Sequence, residues 1–279
     1  MSTFHAIQPV PLSYHAGSTG KWLFTIWAGG FAFLVLPYAF YRLAKFRDSV
    51  PLLVWLGGFI CSLGEPMLDH LGHLWWPQNL PGPVFKGFDL SVPLLIPPCY
   101  AFFVSGMGYV AYRQFVKGVT VRKVFLIWVA IASTDLALEI PGVAASVYKY
   151  YGHEPFYVLN FPLHWAWLNG TGFLAVGFLL YLVVPRLKGA SRALLLLVTV
   201  TGFLGSYGVT MWPAWIALNW KMSSGLQAVV DLGSLGLCLL VVRAIAEVVS
   251  HRPEPAAETV GVPAGEAVRA PTPPAAVPA

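Results

Sequence analysis

Seven long apolar stretches, separated by short polar segments, constrain this sequence more than any other feature. Each is at least as long as the roughly 20 residues that a helix needs to cross a bilayer. Only 10% of the 279 residues are charged, whereas a soluble domain has about 25%, so the chain has to bury its surface in lipid. We therefore predict an all-α polytopic membrane protein, a bundle of seven transmembrane helices. The predicted helices cover 21–44, 51–74, 92–115, 122–145, 162–184, 191–218 and 225–249.

The basic residues predict the orientation of this bundle. They fall into two sets that alternate along the chain, 13 Lys and Arg in one set of segments and 4 in the other. Basic residues near helix ends favour the cytoplasmic side. The larger set is Arg42, Lys45, Arg47, Arg113, Lys117, Arg122, Lys123, Arg186, Lys188, Arg192, Arg243, Arg252 and Arg269, and the smaller is Lys21, Lys86, Lys149 and Lys221. We expect a multi-pass protein of the cell membrane with its N-terminus outside and its C-terminus in the cytoplasm.

Composition also divides the chain into three parts. Residues 1–20 are predicted to be an N-terminal extracytoplasmic segment, since they lack the basic and apolar regions of a cleaved signal peptide. The seven-helix membrane domain covers 21–249. The Pro- and Ala-rich segment 250–279 is predicted to be a disordered cytoplasmic tail, because it has too little apolar surface to offset its ordering entropy.

Carboxylates inside the predicted helices are the second informative feature. Glu65 and Asp69 are four residues apart and His73 follows four residues later, so the three are expected on one helix face. Asp135 and Glu139 have the same spacing in the fourth helix, and the last helix carries Asp231 in the segment VVDLGS. The five predicted catalytic acids are Glu65, Asp69, Asp135, Glu139 and Asp231.

These acids are predicted to share one depth zone, in the outer half of the membrane. A helix rises about 1.5 Å per residue. Counting from the cytoplasmic ends places Asp135 near the middle of the hydrocarbon core, Glu65 and Glu139 above it, and Asp69 near the outer edge, with Asp231 also in the outer half. An ionised carboxylate in this position costs several kcal/mol, so the acids are expected to face the bundle interior, some of them protonated. The substrate pocket is predicted to include His73, His164, Trp165, Asn169, Tyr207 and Trp212. By contrast, Glu154 is expected in a solvated outer loop, where its substitution would have little effect.

Paired carboxylates in a dry site favour acid–base chemistry, because one stays protonated while the other is ionised. That chemistry suits protonation of a lipid-soluble substrate, ring closure and proton removal, with aromatic faces stabilising a developing cation. A pocket without Lys or Arg indicates an uncharged substrate. We expect a non-metal acid–base cyclase of the lyase or isomerase type, without a cofactor, whose partners are a lipophilic small molecule and membrane lipid but no nucleic acid.

The segment GEPMLDHLGHLWWP, with the Pro-rich loop and the Gly- and aromatic-rich helix that follow, resembles the AveC-type spirocyclase family of actinobacteria. The resemblance centres on 57–113. It implies a polytopic membrane protein that takes part in dehydration and spiroketal closure of polyketides, with Glu65 and Asp69 as functional residues. In length, and in the placement of Glu65 and Asp231, the chain is also similar to the seven-helix terpene cyclases of meroterpenoid pathways. That likeness implies cyclisation of a terpenoid begun by protonation.

Other classes of membrane protein fit parts of this pattern. A proton-coupled transporter of a small hydrophobic molecule also lines its path with acids and His, although here all the acids are predicted in one half of the membrane. A metal enzyme could use Glu65, Asp69 and His73 with Asp135 or Glu139. A retinal photoreceptor needs a Lys deep in the last helix, and this helix has none.

Overall fold

The computed structural model describes residues 9–251, and most of them form helices. Long apolar runs favour helices in a membrane because a helix satisfies its own backbone hydrogen bonds. The α-helices are α1 (Ser18–Phe46), α2 (Val50–Cys61), α3 (Glu65–Leu71), α4 (Ile96–Cys99), α5 (Ser105–Lys117), α6 (Val121–Ala144), α7 (His164–Val183), α8 (Leu195–Thr210), α9 (Trp212–Asn219) and α10 (Ser224–Ser250).

Short antiparallel strands connect the helices at one end of the bundle. The strands are β1 (Leu74–Trp75), β2 (Phe85–Gly87), β3 (Leu90–Val92), β4 (Lys149–Tyr150), β5 (Tyr157–Val158) and β6 (Phe161–Pro162). β1 pairs with β4, whereas β2 with β3 and β5 with β6 form local hairpins. The pairing of β1 with β4 joins the connection after α3 to the connection after α6, so the two loops form one cap over this end.

Six helices in the described part of the chain are long and apolar enough to cross a membrane. They are Ser18–Phe46, Val50–Leu71, Val121–Ala144, His164–Val183, Gly189–Thr210 and Ser224–Ser250. The coarser prediction, a helical multi-pass membrane protein, is therefore confirmed. The predicted third helix, 92–115, is not among the six, although 96–117 is helical without a break. This run includes Pro97, Pro98 and Arg113, and a π-helical stretch, Tyr100–Val104, interrupts its α-helical winding.

Two of the predicted helices are interrupted near the cap. The predicted helix 51–74 changes to a 3₁₀ turn at Ser62–Gly64 and ends at Leu71, and 74–75 is a strand. Pro66 cannot donate the backbone hydrogen bond that would continue regular winding. The predicted helix 191–218 is divided between α8 and α9 at Met211, and Pro213 lies in the first turn of α9.

Small residues let the central helix approach its neighbours closely. α7 is the most deeply buried of the six apolar helices, and α1 has the smallest buried share. A Cβ atom at Gly177 would lie 2.7 Å from Cβ of Ala111, and one at Gly202 would lie 2.8 Å from Cα of Val176. Helices in lipid associate through such close packing of small residues. The tight core around α7 fixes the positions of side chains at its cap end.

The terminal predictions are only partly covered by the structure. α1 begins at Ser18, within the segment predicted to precede the first helix. The predicted tail, 250–279, lies outside the described residues except for its first two positions.

Candidate functional site

A cavity lies inside the helical bundle, at the end that carries the strands. Its empty space amounts to about 880 Å³, part of which is open to the surroundings. Four carboxyl groups line it, those of Glu65, Asp69, Asp135 and Glu139, and no Lys, Arg or His from the described residues does so. The structure thus brings together four of the five acids that the sequence singled out.

Helix α3 presents the first pair of acids. The 3₁₀ turn before it and the proline after Glu65 start a new helical turn at this residue, and Asp69 follows one turn later. The Tyr100 hydroxyl, from the π-helical stretch, donates a hydrogen bond to Oε2 of Glu65. The indole N–H of Trp76 donates to Oδ2 of Asp69 over 2.7 Å. Both carboxyl groups are buried, and each is held by an aromatic donor from another segment.

Helix α6 presents the second pair. The Asn169 amide, from α7, donates a hydrogen bond of 3.0 Å to Oδ2 of Asp135. Oε2 of Glu139 accepts two hydroxyl hydrogen bonds, from Tyr148 at 2.8 Å and from Tyr150 at 3.2 Å. Glu139 therefore receives more hydroxyl donors than any other acid of the cavity.

In each of the four carboxyl groups, only one of the two oxygens accepts a hydrogen bond from the described residues. In each carboxyl group, one oxygen accepts all of the hydrogen bonds described above. Within residues 9–251 the second oxygen of each accepts no hydrogen bond, and none of these oxygens is among the fully buried polar atoms without a partner. A bound molecule could therefore contact four carboxyl oxygens without displacing any hydrogen bond of the protein.

The rest of the cavity wall is aromatic and aliphatic. It includes Phe24 and Trp27 from α1, Phe103 from the π-helical stretch, Phe173 from α7 and Phe203 from α8. The Tyr207 hydroxyl donates to Oδ1 of Asn169, which in turn holds Asp135. A mostly apolar wall with a few convergent polar groups suits a lipophilic molecule that is oriented at one end.

Trp165 lines the cavity from the first turn of α7. Its indole N–H donates to Oε2 of Glu154 over 2.5 Å. A Cβ atom at Gly72 would lie 2.5 Å from Cη2 of Trp165, so only glycine leaves room for this ring at the end of α3. Trp165 is therefore fixed from two sides.

Several predicted site residues lie elsewhere. Asp231 and His164 are fully buried but do not line the cavity. Asp231 lies on α10, and the His164 side chain lies between Asp231 and Glu154. His73 is not on the stripe of Glu65 and Asp69, because α3 ends at Leu71 and His73 has a left-handed backbone, φ 51°. Its ring contacts Asn219 and stacks on a tyrosine of the cap, and burial lowers its pKa. Trp212 is 51% exposed and lies outside the cavity.

The expectation for Glu154 was also wrong. It is 6% exposed, not solvated, since the cap folds back over the bundle and places it beside Trp165 and His164. Burial raises the pKa of its carboxyl well above the ordinary value, an effect that the hydrogen bond from Trp165 opposes.

The tyrosines that hold Glu65 and Glu139 were not identified from the sequence. Tyr100 lies within the predicted third helix, whereas Tyr148 and Tyr150 lie in a loop without regular periodicity, and burial raises the pKa of Tyr148 and Tyr150 well above the ordinary value. The only signal available was the density of tyrosines in the loop after α6, KYYG. Trp165, Asn169 and Tyr207, by contrast, were predicted in the pocket and do line the cavity.

Compared with known proteins, the chain matches no family model, no curated protein and no solved structure. Its function must therefore be inferred from the cavity itself.

Proposed function

We propose that the chain is a membrane-embedded acid–base enzyme that cyclises an uncharged, lipophilic natural-product intermediate, with or without loss of water. The observation that carries this proposal is the set of four carboxyl groups, each with an oxygen free to contact a ligand, in an apolar cavity without a basic residue. The same chemistry is implied by the resemblance to AveC-type spirocyclases and by the likeness to the terpene cyclases.

Glu65 acts as the principal acid, with Asp69 beside it. The free oxygen of Glu65 carries the proton that is transferred to a carbonyl, hydroxyl, epoxide or alkene of the substrate. The hydrogen bond that Tyr100 donates to the other oxygen then stabilises the carboxylate that is left. Asp231 was the other expected partner of Glu65, but it is separated from the cavity.

Glu139 acts as the base that completes the reaction. Its two tyrosine donors favour the ionised carboxylate, which removes a proton from the cyclised cation. The substrate gains one proton from Glu65 and loses one to Glu139, so the product is an isomer, or the isomer less one water. Transfer of the proton from Glu139 back to Glu65, which lines the same cavity, restores the starting state.

The chain crosses the membrane seven times, with the helical run over 96–117 as the third crossing. At about 1.5 Å per residue this run is about 33 Å long, enough to span the hydrocarbon core. The 13 to 4 distribution of basic residues supports an external cap and a cytoplasmic C-terminus. Reporter fusions after Arg47 and Arg186 are expected to read cytoplasmic and one after Lys149 external, and an external reading after Arg47 would contradict this orientation.

The activity is tested by complementing a deletion strain of the native host with the full-length gene. Without the protein the strain should accumulate a lipophilic precursor that differs from the product by zero or one water molecule. Glu65→Gln keeps the side-chain shape but removes the acidic proton, so it should lower product formation by about 10² to 10⁴-fold. Glu247→Gln, at the partly exposed end of α10, is the matched control and should restore the product.

Two results would contradict the assignment. Full restoration of the product by Glu65→Gln would remove Glu65 as the proton donor and make Asp135 the next candidate. A deletion strain that makes the final product but distributes it differently across the membrane would indicate the proton-coupled transporter instead, and uptake into vesicles containing the purified protein would then be measured.

A further inference from the structure

A second group of polar side chains is buried beside the cavity, on the other side of Trp165. Its centre is His164, which is 1% exposed. Nε2 of His164 lies 3.4 Å from Oε2 of Glu154, and Nδ1 lies 3.8 Å from Oδ2 of Asp231. Neither ring nitrogen has a hydrogen bond within residues 9–251. An imidazole is thus placed between two carboxyl groups, at distances slightly too long for good direct hydrogen bonds.

Helix α10 adds two further polar groups to the face that carries Asp231. Gln227 and Ser234 precede and follow it by four and three residues, so the three share one face of the helix. Both are buried, and both have a side-chain atom without a hydrogen-bond partner. The unpartnered atoms are Nδ1 and Nε2 of His164, Oε1 of Glu154, Oδ1 and Oδ2 of Asp231, Nε2 of Gln227 and Oγ of Ser234.

The hydrogen-bond donors and acceptors that these seven atoms lack indicate which ligand the site binds. These atoms are seven of the ten buried side-chain polar atoms that have no hydrogen-bond partner in the described part of the chain. Most of these unpaired atoms therefore belong to His164, Glu154 and the polar face of α10. Carboxyl oxygens and one imidazole nitrogen require donors, whereas the Gln227 amide and the other imidazole nitrogen require acceptors. A metal ion satisfies only acceptors. Water satisfies both kinds, and it typically occupies such buried polar positions.

We propose that Glu154, His164 and Asp231, with Gln227 and Ser234, form a second buried site that binds ordered water molecules and passes protons through the His164 imidazole. A proton leaves Asp231 through water and binds Nδ1, while the proton on Nε2 leaves for Glu154. The ring changes from one neutral tautomer to the other, one carboxyl loses a proton and the other gains it. The reverse transfer restores the starting tautomer.

The site is separate from the cavity, so the proposal is independent of the cyclisation chemistry. None of its five residues lines the cavity, and Trp165, held by Glu154, separates the two. The raised pKa of Glu154, due mainly to burial, favours its protonated form at higher pH than usual and so suits a group that receives and returns a proton.

The test uses the full-length chain in lipid bilayers with its histidines labelled with ¹⁵N. The chain has seven histidines, and His164→Gln identifies the signals of this ring by their loss. Solid-state NMR then measures the transfer of magnetisation from water to the ring nitrogens and the exchange between tautomers. We expect strong transfer from water and two tautomers that interconvert at ambient temperature and separate on cooling.

Matched variants distinguish the relay from a static buried group. Asp231→Asn keeps the size and polarity of the side chain but cannot deliver a proton, so His164 should stay in a single tautomer while its contact with water remains. Asp89→Asn, on the exposed turn between β2 and β3, and Glu65→Gln in the cavity should leave the His164 signals unchanged. The proposal is overturned if the wild-type ring receives no magnetisation from water, or if it occupies one fixed tautomer. Neither result would affect the proposed cyclisation.

Discussion

The two groups of buried acids differ in how their oxygens are satisfied. In the cavity, Glu65, Asp69, Asp135 and Glu139 each accept hydrogen bonds on one oxygen from a fixed aromatic or amide donor and keep the other free. At the second site both Asp231 oxygens and both His164 nitrogens are buried without a hydrogen-bond partner among residues 9–251. A ligand in the cavity can therefore contact one oxygen of each acid. At the second site, by contrast, water is needed to pair with both oxygens of Asp231 and both nitrogens of His164.

This difference distinguishes carboxyl groups whose positions in the sequence are similar. Asp135 and Asp231 are both fully buried acids in long apolar helices. What distinguishes them is the neighbour on α7. Asn169 lies five positions after His164, so it contacts a different helix, and it holds Asp135 at the cavity wall. Preorganised donors are typical of sites where charge changes during a reaction, which supports a catalytic role for the cavity acids rather than for Asp231.

The largest expected effect is that of Glu139→Gln. The amide cannot accept a proton as a base, so product formation should fall by about 10² to 10⁴-fold, while Tyr148 and Tyr150 still find an oxygen to bind. The complemented deletion strain provides the measurement. Asp231→Asn is the comparison from the second site and is expected to form product at a rate close to that of the wild type. Equal losses in both variants would remove the distinction between the two groups.

A smaller effect is expected for Tyr150→Phe, which removes one of the two hydroxyl donors to Glu139. A hydrogen bond to a charged group contributes about 1.5–3 kcal/mol, and about 1.4 kcal/mol corresponds to a factor of ten in rate. Product formation should therefore fall by roughly 10 to 100-fold.

The matched control for this change is Tyr157→Phe in the same cap. Its hydroxyl donates to the backbone oxygen of Gly152 over 3.3 Å, and the residue does not line the cavity. The rate of this variant should match that of the wild type. If the two variants lose the same activity, the tyrosine supports the cap and does not stabilise the carboxylate.

The sequence predicted the acids of the cavity more completely than the groups that surround them. Glu65 with Asp69, and Asp135 with Glu139, are spaced four apart, and polar residues in apolar helices must face inward, so their positions follow from helix geometry. Most of the helix positions follow from hydropathy in the same way. Tyr148, Tyr150 and Glu154 lie in loops whose path depends on the pairing of β1 with β4, and no local periodicity encodes that pairing.

Two of the wrong placements, those of His73 and Asp231, have different physical causes. The stripe that was expected to include His73 assumes a regular helix as far as position 74, but α3 ends at Leu71 and His73 has a left-handed backbone. Asp231 was assigned to the cavity from its depth and from the placement that it shares with the terpene cyclases. Depth fixes position along the membrane normal but not the direction in which α10 faces.

The smallest and most diagnostic effect is the pH dependence of stability in Glu154→Gln. Burial raises the pKa of this carboxyl in the folded protein above the ordinary value of about 4.5, so the folded state binds the proton more tightly than the unfolded state. Stability from this group is then fully present below the unfolded pKa and is lost as pH rises toward the folded pKa. Glutamine does not titrate, and its oxygen can still accept the bond from Trp165. The melting temperature of Glu154→Gln relative to wild type should therefore increase as pH is raised from about 4.5 toward neutrality.

Tryptophan fluorescence of the purified protein follows the transition, with Glu247→Gln as the control that shows no such trend. A constant difference between Glu154→Gln and wild type over this range would mean that Glu154 is hydrated well enough to ionise normally. It would then resemble a solvated loop residue, as the sequence first indicated.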